Sequence, residues 1–176
     1  IKHIVADLKA FARPGGSARV AADPREGIER TLRLLQHRLG AGGITIVRDY
    51  REIPRIQAAA GELNQVWMNL LSNAVDALQG RAGAELRVAM RPAPSSTNRP
   101  QIEIEIRDNG SGIDPSHLPR LFEPFFTTKP IGQGTGLGLS IAYGAVKDHG
   151  GEITVVSTWE SGTVFTVRLP IDGRAP

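Results

Sequence analysis

Three short polar side chains, Asn69, Asn73 and Asp76, follow one another at about one helical turn within a largely apolar segment. On a helical wheel of about 100° per residue they share one face with Glu62 and Gln65. Exposed helix faces usually carry Lys, Glu, Arg or Gln, whereas Asn is a poor helix former. A line of short oxygen-bearing side chains suits Mg²⁺, which takes one or two protein oxygens alongside waters and phosphates. The alternative interpretation is an ordinary solvated face.

The sequence "DNGSGI" could receive a planar ligand, because Asp108 ends a predicted strand and is followed by Gly110 and Gly112. A carboxylate in this place can accept a hydrogen bond from an amino group, and glycines let a flat ring approach the backbone. A tight turn capped by Asp108 is the alternative. The motif therefore needs support from elsewhere in the chain.

The sequence "GQGTGLGLS" lies directly before a predicted helix and could bind phosphate. The first amides of a helix carry partial positive charge and have no partners within the helix. The segment is not a Walker loop, since it lacks G-x-x-x-x-G-K-[ST], and no strand immediately precedes it as in a dinucleotide fold. It indicates phosphate binding of another kind.

The segment "LFEPFFTTKPIGQ" is aromatic at first and then polar. The phenylalanines could form a plain hydrophobic plug, whereas Thr-Thr-Lys-Pro is typical of a lid that moves over a ligand. Because few apolar side chains follow the phenylalanines, we predict that Phe126–Gly134 is a mobile lid.

The elements that must position these residues follow from hydrophobic periodicity. Helices are predicted from Asp23-Pro24 to about Leu39, ended by Gly40, and at 61–78 and 138–149. The apolar face of the 61–78 helix predicts core positions at Leu63, Trp67, Leu70, Leu71, Ala74 and Leu78. Strands are predicted at 44–50 and 55–59, and as hairpins of 85–91 with 101–108 and 151–159 with 162–170. Because the strands are so often adjacent, we predict a two-layer α/β sandwich with a mostly antiparallel sheet, covered on one face by helices.

Composition narrows the class of protein. The chain has 176 residues, 40% of them apolar, enough for one compact domain. It has no cysteine, which excludes disulfides and cysteine metal sites, and no apolar run long enough to cross a bilayer. The net charge of +3 comes from scattered basic residues without a basic stripe, so we expect no nucleic-acid partner. We expect a cytoplasmic domain, whose parent could still be anchored in a membrane.

These separate signals occur in one order that resembles a known family. "NLLSNAVDAL", "DNGSGI", "LFEPFFTTK", "GTGLGLS" and "GTVFTVRLP" are similar, box by box, to the N, G1, F, G2 and G3 motifs of the catalytic ATP-binding domain of bacterial sensor histidine kinases. That domain has the Bergerat fold, shared with gyrase, Hsp90 and MutL-like ATPases. The resemblance runs from about Asp23 to Pro170, and "NAVDAL" with "FFTTKPIGQGTGLGLS" is most similar to the nitrogen-sensor branch.

The resemblance implies ATP and Mg²⁺ as ligands and assigns roles to single residues. Asn73 would coordinate Mg²⁺, Asn69 would lie beside it near the γ-phosphate, and Asp76 would line the same network. Asp108 would bind the adenine amino group, with Gly110, Gly112 and Ile113 around the base and Thr163 supporting it through water. Lys129 would reach phosphate from the lid. The phosphates would also receive backbone amides from Gly134, Gly136, Leu137, Gly138 and Leu139.

The resemblance also implies the reaction. The related ATPases carry a glutamate at the position of Asn69, to activate water; an amide cannot accept a proton at neutral pH. We therefore expect transfer of the γ-phosphate to a histidine on a separate helical domain rather than hydrolysis. His3, His37, His117 and His149 are not followed by Glu or Asp, as the phosphoacceptor usually is. The alternatives are an ATP-driven clamp of the gyrase, Hsp90 or MutL type and a non-catalytic nucleotide-binding module.

The domain organisation is predicted accordingly. Residues 1–14 resemble the end of the second helix of a dimerisation and phosphoacceptor domain, 15–22 are a linker, 23–172 are the catalytic domain and 173–176 a tail. We expect the chain to be a fragment of a longer kinase. The longer kinase would be a homodimer, whereas the fragment would be a monomer. Its partners would be its own phosphoacceptor domain and a response regulator.

Overall fold

The computed structural model describes residues 18–93, 99–130 and 134–173. Its elements in chain order are β1 (Val20–Ala22), α1 (Pro24–Leu34), α2 (Gln36–Ala41), β2 (Thr45–Tyr50), β3 (Ile56–Ala58), α3 (Ala60–Leu78), β4 (Glu85–Ala93), β5 (Gln101–Asp108), a 3₁₀ turn (Leu118–Arg120), α4 (Gly138–Asp148), β6 (Glu152–Thr158) and β7 (Gly162–Pro170). Residues 1–14, predicted to resemble the end of a helix, and the end of the predicted tail lie outside the described residues. The boundaries of the predicted domains stay a prediction.

Five strands form one sheet in the order β2-β4-β5-β7-β6, and β1 pairs with β3 in a separate ribbon. Among the strands that the structure describes, β2 and β4 alone run parallel within that sheet; the other pairs are antiparallel. Along β5, Ile102, Ile104 and Ile106 are buried and meet the helices, which is the alternation of a sheet covered on one face. The predicted two-layer sandwich and both predicted hairpins are confirmed.

Helix α3 supplies the centre of the core. Trp67, Leu70 and Leu71 are fully buried, and every position predicted from the apolar face of this helix belongs to the core cluster. The polar line of the same helix stays partly exposed on the opposite side. The helix is therefore both a core element and the carrier of the candidate site.

The first described helix differs from its prediction. Asp23 caps it as expected, accepting a hydrogen bond from the Arg25 amide at 2.9 Å. The helix breaks at Leu35, whose ψ of −1° leaves helical geometry, and a second short helix runs to Ala41, one residue past the predicted stop at Gly40. Leu32, Leu35 and Leu39 are buried before, at and after this break, so tertiary packing decides a bend that periodicity does not show.

Part of the predicted linker is also structured. Val20–Ala22 form β1, which pairs antiparallel with β3 in the register Val20 to Ala58. A strand of three residues, mostly exposed, has too short a pattern to be recognised before its partner is known. The linker predicted over 15–22 therefore overlaps a strand of the domain.

His149 joins the ends of two helices. Its Nε2 accepts a hydrogen bond from the Ala59 amide at 3.0 Å, and its Nδ1, which must then carry the proton, donates to the Ala145 carbonyl at 2.7 Å. The ring is 2% exposed. The helix predicted over 138–149 ends with His149 as its C-cap, and the His149 side chain also satisfies the amide at the start of α3.

The open face of the sheet is held by alternating charges. In the register of β6, β7, β5 and β4, Glu152 lies opposite Arg168, Arg168 opposite Glu103, and Glu103 opposite Arg91. Both oxygens of Glu103 are used, at 2.8 Å from Arg168 Nε and 2.8 Å from Arg91 Nε. Burial raises the pKa of Glu103, but hydrogen bonds and charges from Arg168 and Arg91 outweigh it and the pKa falls below its ordinary value.

Replacing His149 with Ala should lower the free energy of unfolding by about 2–4 kcal/mol, because a buried amide loses its acceptor and a cavity forms. Urea unfolding followed by circular dichroism measures the change. His37→Ala is the matched control, since His37 is exposed. Equal stability of the two variants would show that the His149 contacts contribute nothing.

Replacing Glu103 with Gln should cost about 1–3 kcal/mol near neutral pH, because charge-assisted hydrogen bonds are lost. A carboxyl with a lowered folded pKa stabilises the fold above the ordinary value of 4.5 and loses this effect as the pH falls. The difference between wild type and variant should therefore shrink on acidification, in urea titrations from about pH 7 to about pH 3. Glu123→Gln, at an exposed pair, should change little at any pH. A pH-independent difference for Glu103→Gln would contradict the assignment.

Candidate nucleotide-binding site

The structure gives Asn69 two contacts within the protein. Its Oδ1 accepts a hydrogen bond from Gln65 Nε2 at 3.2 Å, and its Nδ2 donates to the Gly138 carbonyl at 2.7 Å. Gly138 is the first residue of α4, and a Cβ on it would lie 3.5 Å from Asn69. Asn69 therefore holds the start of the glycine-rich helix against α3.

Asn73 and Asp76 meet the lid lysine. Lys129 Nζ donates to Asn73 Oδ1 at 3.3 Å and forms an ion pair with Asp76 Oδ2. A cation thus lies among the oxygens that the sequence assigned to a metal. Hard carboxylate and amide oxygens around a positive charge fit Mg²⁺ by their chemistry. Among the described residues, no group of three His, Cys, Asp or Glu side chains could hold a metal by itself.

Arg38 completes this cluster and was missed by the sequence reasoning. It lies on α2, pairs with Asp76 Oδ1, and donates to Ser72 Oγ at 3.1 Å. Arg38 is 38 positions from Asp76, so no local spacing could have indicated the contact. The cluster of Arg38, Asp76 and Lys129 carries a net charge of +1, from two cations and one carboxylate.

Asp108 lies at the other end of the site, where β5 meets β7. Its side chain is 4% exposed, and its Oδ1 accepts the Gly110 amide at 2.8 Å. Burial raises the pKa of Asp108, while hydrogen bonds from the backbone of Gly110 and Thr163 work in the opposite direction. A buried carboxylate that hydrogen bonds only to backbone donors remains able to accept a further one from a ligand.

Packing within the protein requires the glycines after Asp108, a reason that differs from the ligand approach suggested by the sequence. A Cβ on Gly110 would lie 2.7 Å from the Ala77 carbonyl oxygen, so the loop packs directly on the end of α3. Gly112 has φ +67°, and a Cβ there would lie 2.1 Å from the Thr158 carbonyl oxygen. Both residues are required by packing within the protein before any ring approaches.

Ser157 links the remaining residues of this end. Its Oγ accepts the Ile113 amide at 2.9 Å and lies 2.9 Å from Thr163 Oγ1. Thr163 is buried, so its hydroxyl supports the loop through Ser157. Sequence reasoning did not select Ser157, whose place in the alternation of β6 gave no sign of this contact.

The glycine-rich segment approaches the phenylalanines. Gly136 has φ +67°, and a Cβ on it would lie 2.4 Å from the Phe125 carbonyl carbon; a Cβ on Gly134 would meet Thr127 Oγ1 at 2.7 Å. Leu137 is buried, and its amide donates a hydrogen bond to Thr135 Oγ1 at 3.3 Å. Leu139 packs against the core from the first turn of α4.

The aromatic segment is not a simple plug. Phe125 is 66% exposed and has φ +66°, which is unusual for a residue with a side chain. Phe126 stacks edge-on with His117 and lies under the Arg120 guanidinium, 4.6 Å from the ring centre. Residues 131–133 of the predicted lid lie outside the described residues, so its mobility stays a prediction.

The predicted residues therefore gather into two groups along α3. Asn69 holds the start of α4 while Asn73 and Asp76 hold Lys129, and the loop after Asp108 packs on the end of α3. The Ser111 amide donates to the Ala77 carbonyl at 3.2 Å and ties the second group to the same helix.

Comparison with known proteins places this arrangement in a family. Residues 58–173 match the family described as histidine kinase-, DNA gyrase B-, and HSP90-like ATPase. The two-component sensor PprA of Pseudomonas aeruginosa is 37% identical over 181 residues, covering 99% of this chain and 19% of that protein. The sensor histidine kinase ZraS of Salmonella typhi is 34% identical over 175 residues, covering 99% of this chain and 36% of that protein. The chain thus spans about a fifth to a third of these relatives.

Solved structures of histidine kinases have the same fold as this chain. The nucleotide-free catalytic domain of histidine kinase ThkA superposes with a TM-score of 0.73 at 27% identity, covering 88% of this chain and 97% of that one. Full-length ShkA in complex with AMPPNP gives a TM-score of 0.79 at 25% identity, covering 99% of this chain and 36% of that one. No helix among the described residues is long and apolar enough to cross a membrane. The chain belongs to the family of histidine kinase-, DNA gyrase B- and HSP90-like ATPases, and its fold is that of the ATP-binding catalytic domain of histidine kinases.

Proposed function

We propose that this domain binds Mg-ATP and transfers the γ-phosphate to a histidine on a separate helical domain of a two-component sensor kinase. The observation that carries the proposal is the seat of Lys129 on Asn73 and Asp76, beside the helix start held by Asn69. Cations and free helix amides next to one another suit a chain of phosphates. A response regulator would then receive the phosphoryl group, and we infer a cytoplasmic location for the domain because ATP is supplied there.

The residues near the γ-phosphate favour transfer over hydrolysis. Asn69 cannot act as a base, and both ends of its amide are already hydrogen-bonded. Asp76, the carboxylate among Asn69, Asn73 and Asp76, is engaged by Arg38 and Lys129. These three side chains therefore offer water no unpaired carboxylate, whereas a histidine brought by another domain carries its own nucleophilic nitrogen.

Each part of the site has a separate task in the proposal. Asp108 accepts a hydrogen bond from the adenine amino group and orients the base. Lys129 leaves Asp76 for the phosphates, and the start of α4 offers backbone amides to them. Mg²⁺, when bound through Asn73, would neutralise phosphate charge and help to align the γ-phosphate for in-line attack.

The purified chain should bind ATP without phosphorylating itself and without appreciable hydrolysis. A helical phosphoacceptor domain of the same parent protein, added in trans, should become labelled from γ-labelled ATP, at a rate that rises with its concentration because tethering has been lost. Asn73→Ala should weaken Mg-ATP binding about tenfold, or about 1.4 kcal/mol, and abolish the transfer. Label on His3, or brisk hydrolysis by the chain alone, would contradict the proposal; the second result would favour the ATP-driven clamp.

Asp108 should select adenine. The carbonyl of guanine would face the buried carboxylate as acceptor against acceptor, so GTP should bind more weakly than ATP by about 1–3 kcal/mol in calorimetry. Asp108→Asn, which places an amide in the same volume, should reduce the preference. Asp49→Asn at an exposed position of β2 is the control. Equal affinity of the wild-type chain for ATP and GTP would remove Asp108 from the base pocket.

A further inference from the structure

Arg38 contacts the phosphate end of the site from outside the motifs that define it. Its guanidinium bridges two residues one turn apart on α3, donating to Ser72 Oγ at 3.1 Å and pairing with Asp76 Oδ1. A planar guanidinium with two separate partners is held in orientation as well as in place. The Asp76 carboxylate is thereby fixed relative to Asn73.

The position of Asp76 creates an electrostatic problem for a nucleotide site. Its carboxylate lies on the same helix face as Asn73 and shares Lys129 with it, so phosphates arriving there would meet a negative charge. The two oxygens of Asp76 have different partners: Oδ1 forms an ion pair with Arg38 and Oδ2 forms one with Lys129. If Lys129 moves to the phosphates, Arg38 is the cation that stays with Asp76.

We propose that Arg38 is a positioning residue of this site, which neutralises and holds Asp76 so that Lys129 can pass from Asp76 to the phosphates of ATP. The inference rests on the proposed function. Arg38 itself need not touch the nucleotide: it acts through Asp76. The energetic prediction is therefore specific, because the need for Arg38 exists only while residue 76 is negatively charged.

Removing the charge of Asp76 separates this role from the two other roles that an arginine could have here. If Arg38 bound phosphate directly, its removal would weaken ATP binding whatever residue stands at position 76. If Arg38 only linked α2 to α3, its removal would lower the stability of the fold, without regard to phosphates. A neutralising residue is dispensable once Asp76 is replaced by Asn, which is similar in shape and uncharged.

The experiment is a double-mutant cycle in calorimetry with Mg-ATP and with adenosine. Arg38→Ala and Arg38→Gln should each weaken ATP binding about tenfold and leave adenosine binding within about twofold, because adenosine has no phosphates. Asp76→Asn in the Arg38→Ala background should restore ATP binding to within about twofold of Asp76→Asn alone. Arg107→Ala removes an equal charge from an exposed position of β5 and should leave both affinities unchanged.

Three results would overturn the inference. They are unchanged ATP affinity in both Arg38 variants, a double variant as weak as Arg38→Ala, and an equal loss of adenosine and ATP binding. Thermal unfolding of each variant checks the fold, and Arg38→Gln, which keeps a shorter uncharged side chain with an amide donor, serves if Arg38→Ala does not fold. A wild-type chain that binds no ATP would remove the proposed function as well, which distinguishes the two failures.

Discussion

Burial of one face of α3 against the sheet determines where every other part of the site can lie. Trp67, Leu70 and Leu71 are sealed in the core, so the helix can neither rotate nor slide. The positions of Asn69 and Asn73 on its opposite face are thereby fixed relative to the sheet. In its last turn, the Ala77 carbonyl accepts a hydrogen bond from the loop after Asp108. A single amphipathic helix thus connects the proposed base end and the proposed phosphate end of the site.

Several side chains of the site are already paired within the protein. Lys129 is bound by Asp76, Asp108 by the Gly110 amide, and Asn69 by the Gly138 carbonyl. A ligand that displaces one of these partners gains only the difference between its own contacts and those it replaces. This favours selectivity by geometry and charge, since a molecule that fills the volume without replacing these partners would leave buried groups unpaired.

Sequence reasoning succeeded where the signal is local and repeated. The alternation of β5 and β7 and the apolar face of α3 can be recognised within windows of ten to twenty residues, and these determine the two-layer fold. It failed where a contact joins distant segments. The pairing of Arg38 with Asp76, the link from Ser157 to Ile113 and the bend at Leu35 depend on packing that no window of the sequence contains. The same limit explains why Gly112 suggested ligand approach, although the Thr158 carbonyl already requires a glycine there.

The two hydrogen bonds that tie α4 to α3 have a mechanical consequence. Asn69 holds the first residue of α4 and His149 holds its end to the start of α3, so the two helices run antiparallel between these pins. Eleven residues on α4 and ten on α3 each span about 15–17 Å, and the two lengths match. Contacts at both of its ends therefore restrict the movement of α4 relative to α3. In the proposed function, the amino-terminal amides of α4 would have their orientation before a nucleotide arrives, so binding need not use free energy to orient them.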